Sequence, residues 1–208
     1  EWKAMIADEA ARTTFAKNIK TVLEKNKLDG IDLDFEWAEN EKEYEDYSLA
    51  ILKMREMLGD KYLFSVSLHP VCYKISKEAI EAVDFISLQC YGPSPVRFPI
   101  EKYCSDIQMV LEYGIPKEKL VAGVPFYGVT KDNSKKTEAY FNFVQDGLIT
   151  SPAQNEVVYQ GDTYVFDGQD NIRIKTRYAK EQKLKGMMSW DLATDLPLSD
   201  SRPLLKTM

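Results

Sequence analysis

The fold of this chain is constrained most strongly by an alternation of short apolar segments with longer segments of helical periodicity. Five apolar segments have the length of buried strands: 30–36, 62–68, 84–91, 120–127 and 186–190. Helical patterns lie before or between them, over 8–25, 41–58, 99–113 and 175–185, with a short helix after Ser76. Strands that alternate with helices pair in parallel, because each crossover helix returns the chain to the end of the sheet where the previous strand began. The pattern therefore predicts an α/β fold around a parallel sheet of five strands.

The spacing of these segments predicts one domain with a small insertion. The chain has 208 residues, which fits a single domain better than two. About sixty residues separate the fourth and fifth apolar segments. Within them, residues 157–166 resemble two short strands around a turn at Gly161-Asp162. We therefore expect a β insertion over residues 137–174 inside a single domain, 1–208.

Composition excludes several classes of protein. The chain carries 33 acidic and 27 basic residues, a formal net charge of -6, which argues against binding to a nucleic-acid backbone. No apolar stretch approaches the roughly 18 residues of a membrane span. The three cysteines have no CxxC spacing and an odd count, so they predict neither a zinc site nor a complete set of disulfides.

The first predicted strand is unusually acidic. Side chains alternate between the two faces of a strand, so Asp32, Asp34 and Glu36 share one face and the apolar residues between them share the other. A row of like charges destabilises a strand, and such a conflict is typical of a functional site. A calcium loop fits poorly, because bulky Trp37 occupies the position that requires glycine. Two interpretations remain: an edge strand with its acidic face in water, or carboxylates entering a pocket that raises one pKa, with Glu36 as proton donor.

Four motifs resemble glycoside hydrolase family 18, the chitinase family. Residues 29–36 match the family pattern DGxDxDxE, and three further motifs follow in family order, at 89–91, 123–128 and 186–191. The resemblance implies a (β/α)8 TIM barrel with its site at the C-terminal ends of the strands. It aligns 29–36 with barrel strand four, so strands one to three are absent from this sequence and the barrel is predicted to be N-terminally incomplete. The insertion then lies between strands seven and eight.

The resemblance also implies catalytic roles in a substrate-assisted mechanism. Glu36 would protonate the glycosidic oxygen and later activate water, while the 2-acetamido group of the substrate attacks the anomeric carbon. Asp34 would orient that acetamide, Asp32 would tune the protonation of Asp34, and Tyr91 would donate a hydrogen bond to the acetamide oxygen. No cofactor or metal is required.

Four further residues are predicted to contact substrate, each with a structural alternative. Trp190 would form an apolar floor beneath the sugar, or serve as ordinary core. Gln89 would contact the same sugar, or act as a core amide; Tyr127 would contact sugar or support the site; and His69, the only histidine, would make a polar contact or be structural. Trp37 has outward parity unless the strand breaks before it, so we expect it to pack away from the site. The sequence departs from the family at two positions, with Gly92 and Val129 where aspartate and arginine are common.

The predicted function is hydrolysis of β-1,4-linked N-acetylglucosamine in chitin or chitooligosaccharides. The alternatives are an endo-β-N-acetylglucosaminidase that cuts the chitobiose core of N-glycans, and a sugar-binding lectin on the same scaffold. The expected partner is thus a carbohydrate containing N-acetylglucosamine, with soluble oligosaccharides or glycan cores favoured over crystalline chitin. The resemblance implies a secreted, periplasmic or cell-surface protein, and the oligomeric state stays open.

Overall fold

A computed structural model describes residues 1–92, 98–132 and 136–208 of the chain. The helices are α1 (Trp2–Ala7), α2 (Glu9–Asn26), α3 (Glu41–Leu58), α4 (Lys77–Ala82), α5 (Ile100–Tyr113), α6 (Tyr140–Gln145) and α7 (Gln169–Glu181). The strands are β1 (Gly30–Asp34), β2 (Leu63–Leu68), β3 (Phe85–Leu88), β4 (Leu120–Pro125), β5 (Tyr127–Thr130), β6 (Thr137–Ala139), β7 (Glu156–Tyr159), β8 (Asp162–Val165) and β9 (Gly186–Trp190). Single-turn 3₁₀ helices follow at Leu192–Thr194 and Leu205–Thr207. No helix among these described segments is long and apolar enough to cross a membrane.

The main sheet has the predicted parallel topology. Its five strands are ordered β1-β2-β3-β4-β9, and every neighbouring pair is parallel. The α/β class and the five parallel strands are therefore confirmed. Three strands end earlier than predicted: β1 at Asp34, β3 at Leu88 and β4 at Pro125.

A second, antiparallel sheet holds the predicted insertion and extends beyond it. Its order is β6-β5-β8-β7, so it includes β5, which lies before residue 137. The first residue of β5, Tyr127, was predicted to be the last residue of the fourth parallel strand. The hairpin turn is at Gln160 and Gly161, one residue earlier than predicted. Both have positive φ, 51° and 88°, the conformation that a type I′ hairpin turn requires at its two central positions.

Helix α7 begins six residues before the predicted start at 175. Its buried residues are Ile172, Lys175 and Ala179, spaced as one face of a helix. The start was predicted too late because Lys175 faces inward, and a lysine at an inward position interrupts the apolar periodicity. Its Nζ lies 2.5 Å from Asp167 Oδ2, and both side chains are buried. This ion pair joins α7 to the end of the antiparallel sheet.

Strand β1 is fixed by contacts on its helix side. A Cβ at Gly30 would lie 2.2 Å from the Leu63 carbonyl oxygen, so only glycine permits this close approach of β2. On α3, the Tyr47 hydroxyl donates a 2.9 Å hydrogen bond to the Leu33 carbonyl, and its ring lies 5.0 Å from that of Phe35. The apolar face of the acidic strand is therefore buried against α3, and its carboxylates lie on the opposite side of the sheet.

Candidate active site

The carboxylates of the acidic strand line an open cavity of about 660 Å³ on the side of the sheet away from the helices. All eight predicted site residues line this one cavity: Asp32, Asp34, Glu36, His69, Gln89, Tyr91, Tyr127 and Trp190. The predicted strand parities hold here, because Ser67, Phe85 and Ser87 also line it. Many of these side chains lie at or just beyond the carboxyl ends of parallel strands, where sites of α/β proteins form.

Asp32 is held by two hydroxyl groups from the neighbouring strand. Ser65 donates to its Oδ1 at 2.5 Å, and Ser67 donates to its Oδ2 at 2.8 Å. The parallel register explains these contacts, since Asp32 pairs with Ser65 and Asp34 with Ser67 across β1 and β2. Both carboxylate oxygens of Asp32 thus have fixed partners, and its orientation is set before any ligand binds. The two serines were not predicted as site residues, although their parity in the strand was visible in the sequence.

The surroundings of Asp34 raise the pKa of its carboxyl group. The pKa rises from 3.8 to about 6 because of burial first and the charges of Glu36 and Asp32 second, against a lowering by the hydrogen bond from Gln89. The Gln89 amide lies 3.4 Å and 3.5 Å from the two carboxylate oxygens. The acidic row therefore raises one pKa, as the second interpretation of the strand expects. The raised group is Asp34, the middle member.

Tyr91 presents a phenol that stays protonated. Its side chain is buried, and its hydroxyl lies 3.9 Å from the Met188 sulfur. Burial raises the pKa of Tyr91 well above its usual value, and Tyr127 and the carboxylates act in the same direction. The Tyr127 ring packs edge-on at 6.4 Å. Tyr91 is thus a hydrogen-bond donor at the wall of the cavity. Met188 was not predicted to line it.

Glu36 lies beyond the end of β1, next to His69 and Trp37. Its carboxylate, 37% exposed, lies with Oε1 3.9 Å from His69 Nε2. The prediction that Trp37 packs away from the site is wrong, because this side chain lines the cavity and its ring lies 4.3 Å from the imidazole. Strand β1 ends at Asp34, so the alternation of faces does not extend to residue 37.

Trp190 forms an exposed aromatic wall at the end of β9. Its side chain is 56% exposed and lines both the main cavity and a smaller neighbouring one. Such a surface suits stacking on the apolar face of a sugar ring.

An α/β fold with a carboxylate row and exposed aromatics at the carboxyl edge of a parallel sheet is typical of glycoside hydrolases. The comparison with known families agrees. The chain belongs to glycosyl hydrolases family 18, whose sequence profile matches residues 1–195.

Relatives of the chain are longer than it is. Probable chitinase 2 of Drosophila melanogaster is 23% identical over 258 aligned residues, which cover 93% of this chain and 53% of the fly protein. The GH18 chitinase ChiB from the chitin utilization locus of Flavobacterium johnsoniae has a TM-score of 0.81 at 27% identity, covering 99% of this chain and 67% of that structure. A chitinase-like agglutinin from Robinia pseudoacacia has a TM-score of 0.79 at 20% identity, covering 99% and 74%. This chain therefore spans about half the length of the fly relative.

Proposed function

We propose that the protein hydrolyses glycans of β-1,4-linked N-acetylglucosamine by substrate-assisted, retaining catalysis. The observation that carries this proposal is the row of Asp32, Asp34 and Glu36 along one wall of a single cavity, with Tyr91 also lining it. Retaining hydrolysis requires a proton donor and a nucleophile. In this proposal the donor is Glu36, and the nucleophile is the carbonyl oxygen of the substrate's own acetamide group.

Glu36 acts first as acid and then as base. It donates its proton to the glycosidic oxygen as the bond to the anomeric carbon breaks, and the acetamide oxygen forms a new bond to that carbon. The leaving sugar departs with the proton, and a cyclic oxazolinium ion remains. Glu36, now a carboxylate, takes a proton from water as the water attacks the same carbon. The bond between that carbon and the acetamide oxygen breaks in this step, so the ring opens and the neutral acetamide is restored. Its exposure to the cavity, at 37%, gives both substrate and water access to the carboxyl group.

Asp34 and Tyr91 hold the acetamide during this reaction. Asp34 accepts the acetamide N–H and stabilises the positive charge that develops on the group as it attacks, which requires the ionised carboxylate. With a pKa of about 6, this form predominates at neutral pH. Tyr91, with its phenol protonated, donates a hydrogen bond to the acetamide oxygen. Asp32, held by Ser65 and Ser67, supplies the neighbouring negative charge that acts on Asp34.

The remaining cavity residues bind the sugar at the cleavage point. Trp190 stacks beneath the apolar face of the sugar. Gln89, which follows β3, and Tyr127, the first residue of β5, contact the same sugar. Of the three tryptophans, only Trp37 and Trp190 line the cavity, because Trp2 packs against Phe15 and Phe35. Two aromatic walls suit a short binding site better than a long polymer track. This favours soluble oligosaccharides or glycan cores over crystalline chitin, although Trp37 adds a surface that the sequence did not predict.

Two alternatives differ in substrate or in activity. An endo-β-N-acetylglucosaminidase would use the same acid and acetamide on the chitobiose core of N-glycans. A lectin would need the cavity alone, and the likeness to the Robinia agglutinin concerns the fold. The presence of Glu36 at the end of the acidic row favours hydrolysis over binding alone. The extracytoplasmic location implied by the resemblance stays a prediction.

The experiment is a comparison of four ligands: chitotetraose, cellotetraose, an N-glycopeptide with a chitobiose core, and insoluble chitin. Product release would be followed by chromatography, and binding by calorimetry. We expect cleavage of chitotetraose and none of cellotetraose, which lacks the acetamide. Cleavage of both tetrasaccharides at similar rates would refute acetamide participation. Exclusive cleavage of the glycopeptide would favour the endo-glycosidase, and binding without cleavage would favour the lectin.

A further inference from the structure

The loop that carries Glu36 is attached at two places to the loop that follows β2. His69 stacks on Trp37 with ring centroids 4.3 Å apart, and the Cys72 sulfur accepts a 3.0 Å hydrogen bond from the Ala38 N–H. The second loop is itself closed, since His69 and Cys72 exchange two backbone hydrogen bonds of 3.3 Å and 2.8 Å. The residues immediately after Glu36 are therefore tied to the side chains of His69 and Cys72, the two residues that close the second loop.

The imidazole occupies a space that exists because residue 92 is glycine. A Cβ at Gly92 would lie 2.8 Å from His69 Cε1 and 3.4 Å from Nε2. Real Cβ contacts are almost never so short, so any other residue at 92 would displace the ring from its place. With Trp37 on one side and Gly92 on another, the 6% exposed His69 ring has little room to move. Its Nε2 is left 3.9 Å from Glu36 Oε1.

We infer that His69 is a positioning residue for the proton donor Glu36, and that Gly92 is retained to make room for it. The inference rests on the proposed function, in which Glu36 donates the proton. In this arrangement the imidazole holds the Glu36 carboxyl group toward the glycosidic oxygen and does not contact the sugar. A distance of 3.9 Å is longer than a hydrogen bond, and contacts of catalytic groups commonly shorten when substrate binds.

An acid must be aligned with the glycosidic oxygen at the moment of proton transfer. Glu36 is more than a third exposed and lies past the end of its strand, so the strand itself does not fix its rotamer. A misplacement of about 1 Å can reduce a rate by roughly 100-fold. A buried, tightly packed imidazole beside the carboxyl group removes that freedom. The assignment therefore gives a role to the only histidine of the chain and explains why position 92 has no side chain.

The test compares two substrates that differ in their need for an acid. Chitotetraose has a poor leaving group that must be protonated, whereas nitrophenyl chitobioside releases a stabilised nitrophenolate with little assistance. kcat/KM would be measured for both, because this constant reports steps up to the cleavage of the glycosidic bond. The variants are His69→Leu, which removes the nitrogen; His69→Gln, which restores an N–H near Nε2; and Gly92→Ala. Gly186→Ala is the matched control, because a Cβ there meets no atom within 4 Å.

We expect His69→Leu to lower kcat/KM on chitotetraose by roughly 10- to 100-fold, and on the nitrophenyl substrate by much less. His69→Gln should recover most of the loss, and Gly92→Ala should show the same selective loss without altering the histidine. Gly186→Ala should match the parent on both substrates. Equal losses on the two substrates, or no loss, would overturn the positioning role, since a general structural defect does not depend on the leaving group. Melting temperatures show whether each variant folds. If His69→Leu does not fold, Gly92→Ala tests the positioning role in its place.

Glu36→Gln, measured on the same pair of substrates, separates this inference from the proposed function. A large selective loss on chitotetraose in Glu36→Gln, without one in the His69 variants, refutes only the inference. If Glu36→Gln itself shows no selectivity for the leaving group, then Glu36 is not the proton donor, and both the proposed function and the inference fail.

Discussion

We expect Asp34→Asn to stabilise the folded protein at neutral pH while abolishing hydrolysis. The carboxyl pKa of Asp34 is about 6 in the folded protein, against 3.8 for an ordinary aspartate, mainly because the fold withdraws the group from water. A raised folded-state pKa means that the native state binds the proton more tightly than the unfolded chain does. The free energy of unfolding therefore falls as pH rises from about 4 to about 6, and this loss persists at higher pH.

The size of the effect follows from the difference between the two pKa values. At about 1.36 kcal/mol for each pH unit, the interval from 3.8 to about 6 gives an upper bound of about 3 kcal/mol. The fold withdraws Asp34 from water only in part, because the side chain also faces the open cavity. The water of the cavity screens the charge, so we expect about 1 kcal/mol. Asparagine keeps an oxygen that can accept from Gln89 and carries no charge, so it removes the cost of burying the carboxylate.

The assay is urea denaturation of the parent and Asp34→Asn at pH 4 and pH 7.5. We expect little difference in the free energy of unfolding at pH 4 and about 1 kcal/mol in favour of the variant at pH 7.5. Asp29→Asn removes a carboxylate that does not line the cavity, and it controls for the change in net charge. Equal stabilities at both pH values, or a variant less stable at pH 7.5, would refute the reasoning about Asp34.

Three further predictions concern other parts of the fold and site. Lys175→Met leaves Asp167 buried without its cation and should destabilise the protein by about 3–5 kcal/mol in urea denaturation. The double variant that also carries Asp167→Leu should recover most of the lost stability. No recovery would argue against the ion pair as the cause of the loss. Tyr91→Phe should lower kcat on chitotetraose by roughly 100-fold through loss of a preorganised donor, with the melting temperature little changed; parental kcat would exclude the phenol from the reaction. Soluble product should form faster from short oligomers than from insoluble chitin at equal protein concentration, and a clear preference for the polymer would contradict the short binding site.

The sequence predicts those features that depend on local periodicity. Helix α3 has the predicted bounds, 41 to 58, because its apolar face and the terminal Gly59 are both visible locally. The common face of Asp32 and Asp34 follows from strand alternation in the same way. Glu36, Gln89 and Tyr91 line the same cavity, as predicted, although they lie beyond the ends of β1 and β3.

The features that the sequence does not predict depend on contacts between distant segments. Tyr127 belongs to β5, which pairs with β6 and β8 of the second sheet, and neither pairing leaves a local pattern. The first six residues of α7 were not predicted as helix, because the partner of the inward-facing Lys175 is a buried carboxylate on a preceding segment. The place of Trp37 in the cavity depends on where β1 ends and on its stacking with His69. Periodicity within one segment carries no information about these tertiary contacts.

The central claim is that Glu36 donates the proton, and Glu36→Gln tests it most directly. The amide keeps the shape of the side chain but has no proton to give, so chitotetraose hydrolysis should fall by at least roughly 100-fold. Calorimetry on the same variant should show chitotetraose binding close to that of the parent, because the other residues that line the cavity are intact. Near-parental hydrolysis by Glu36→Gln would contradict the account.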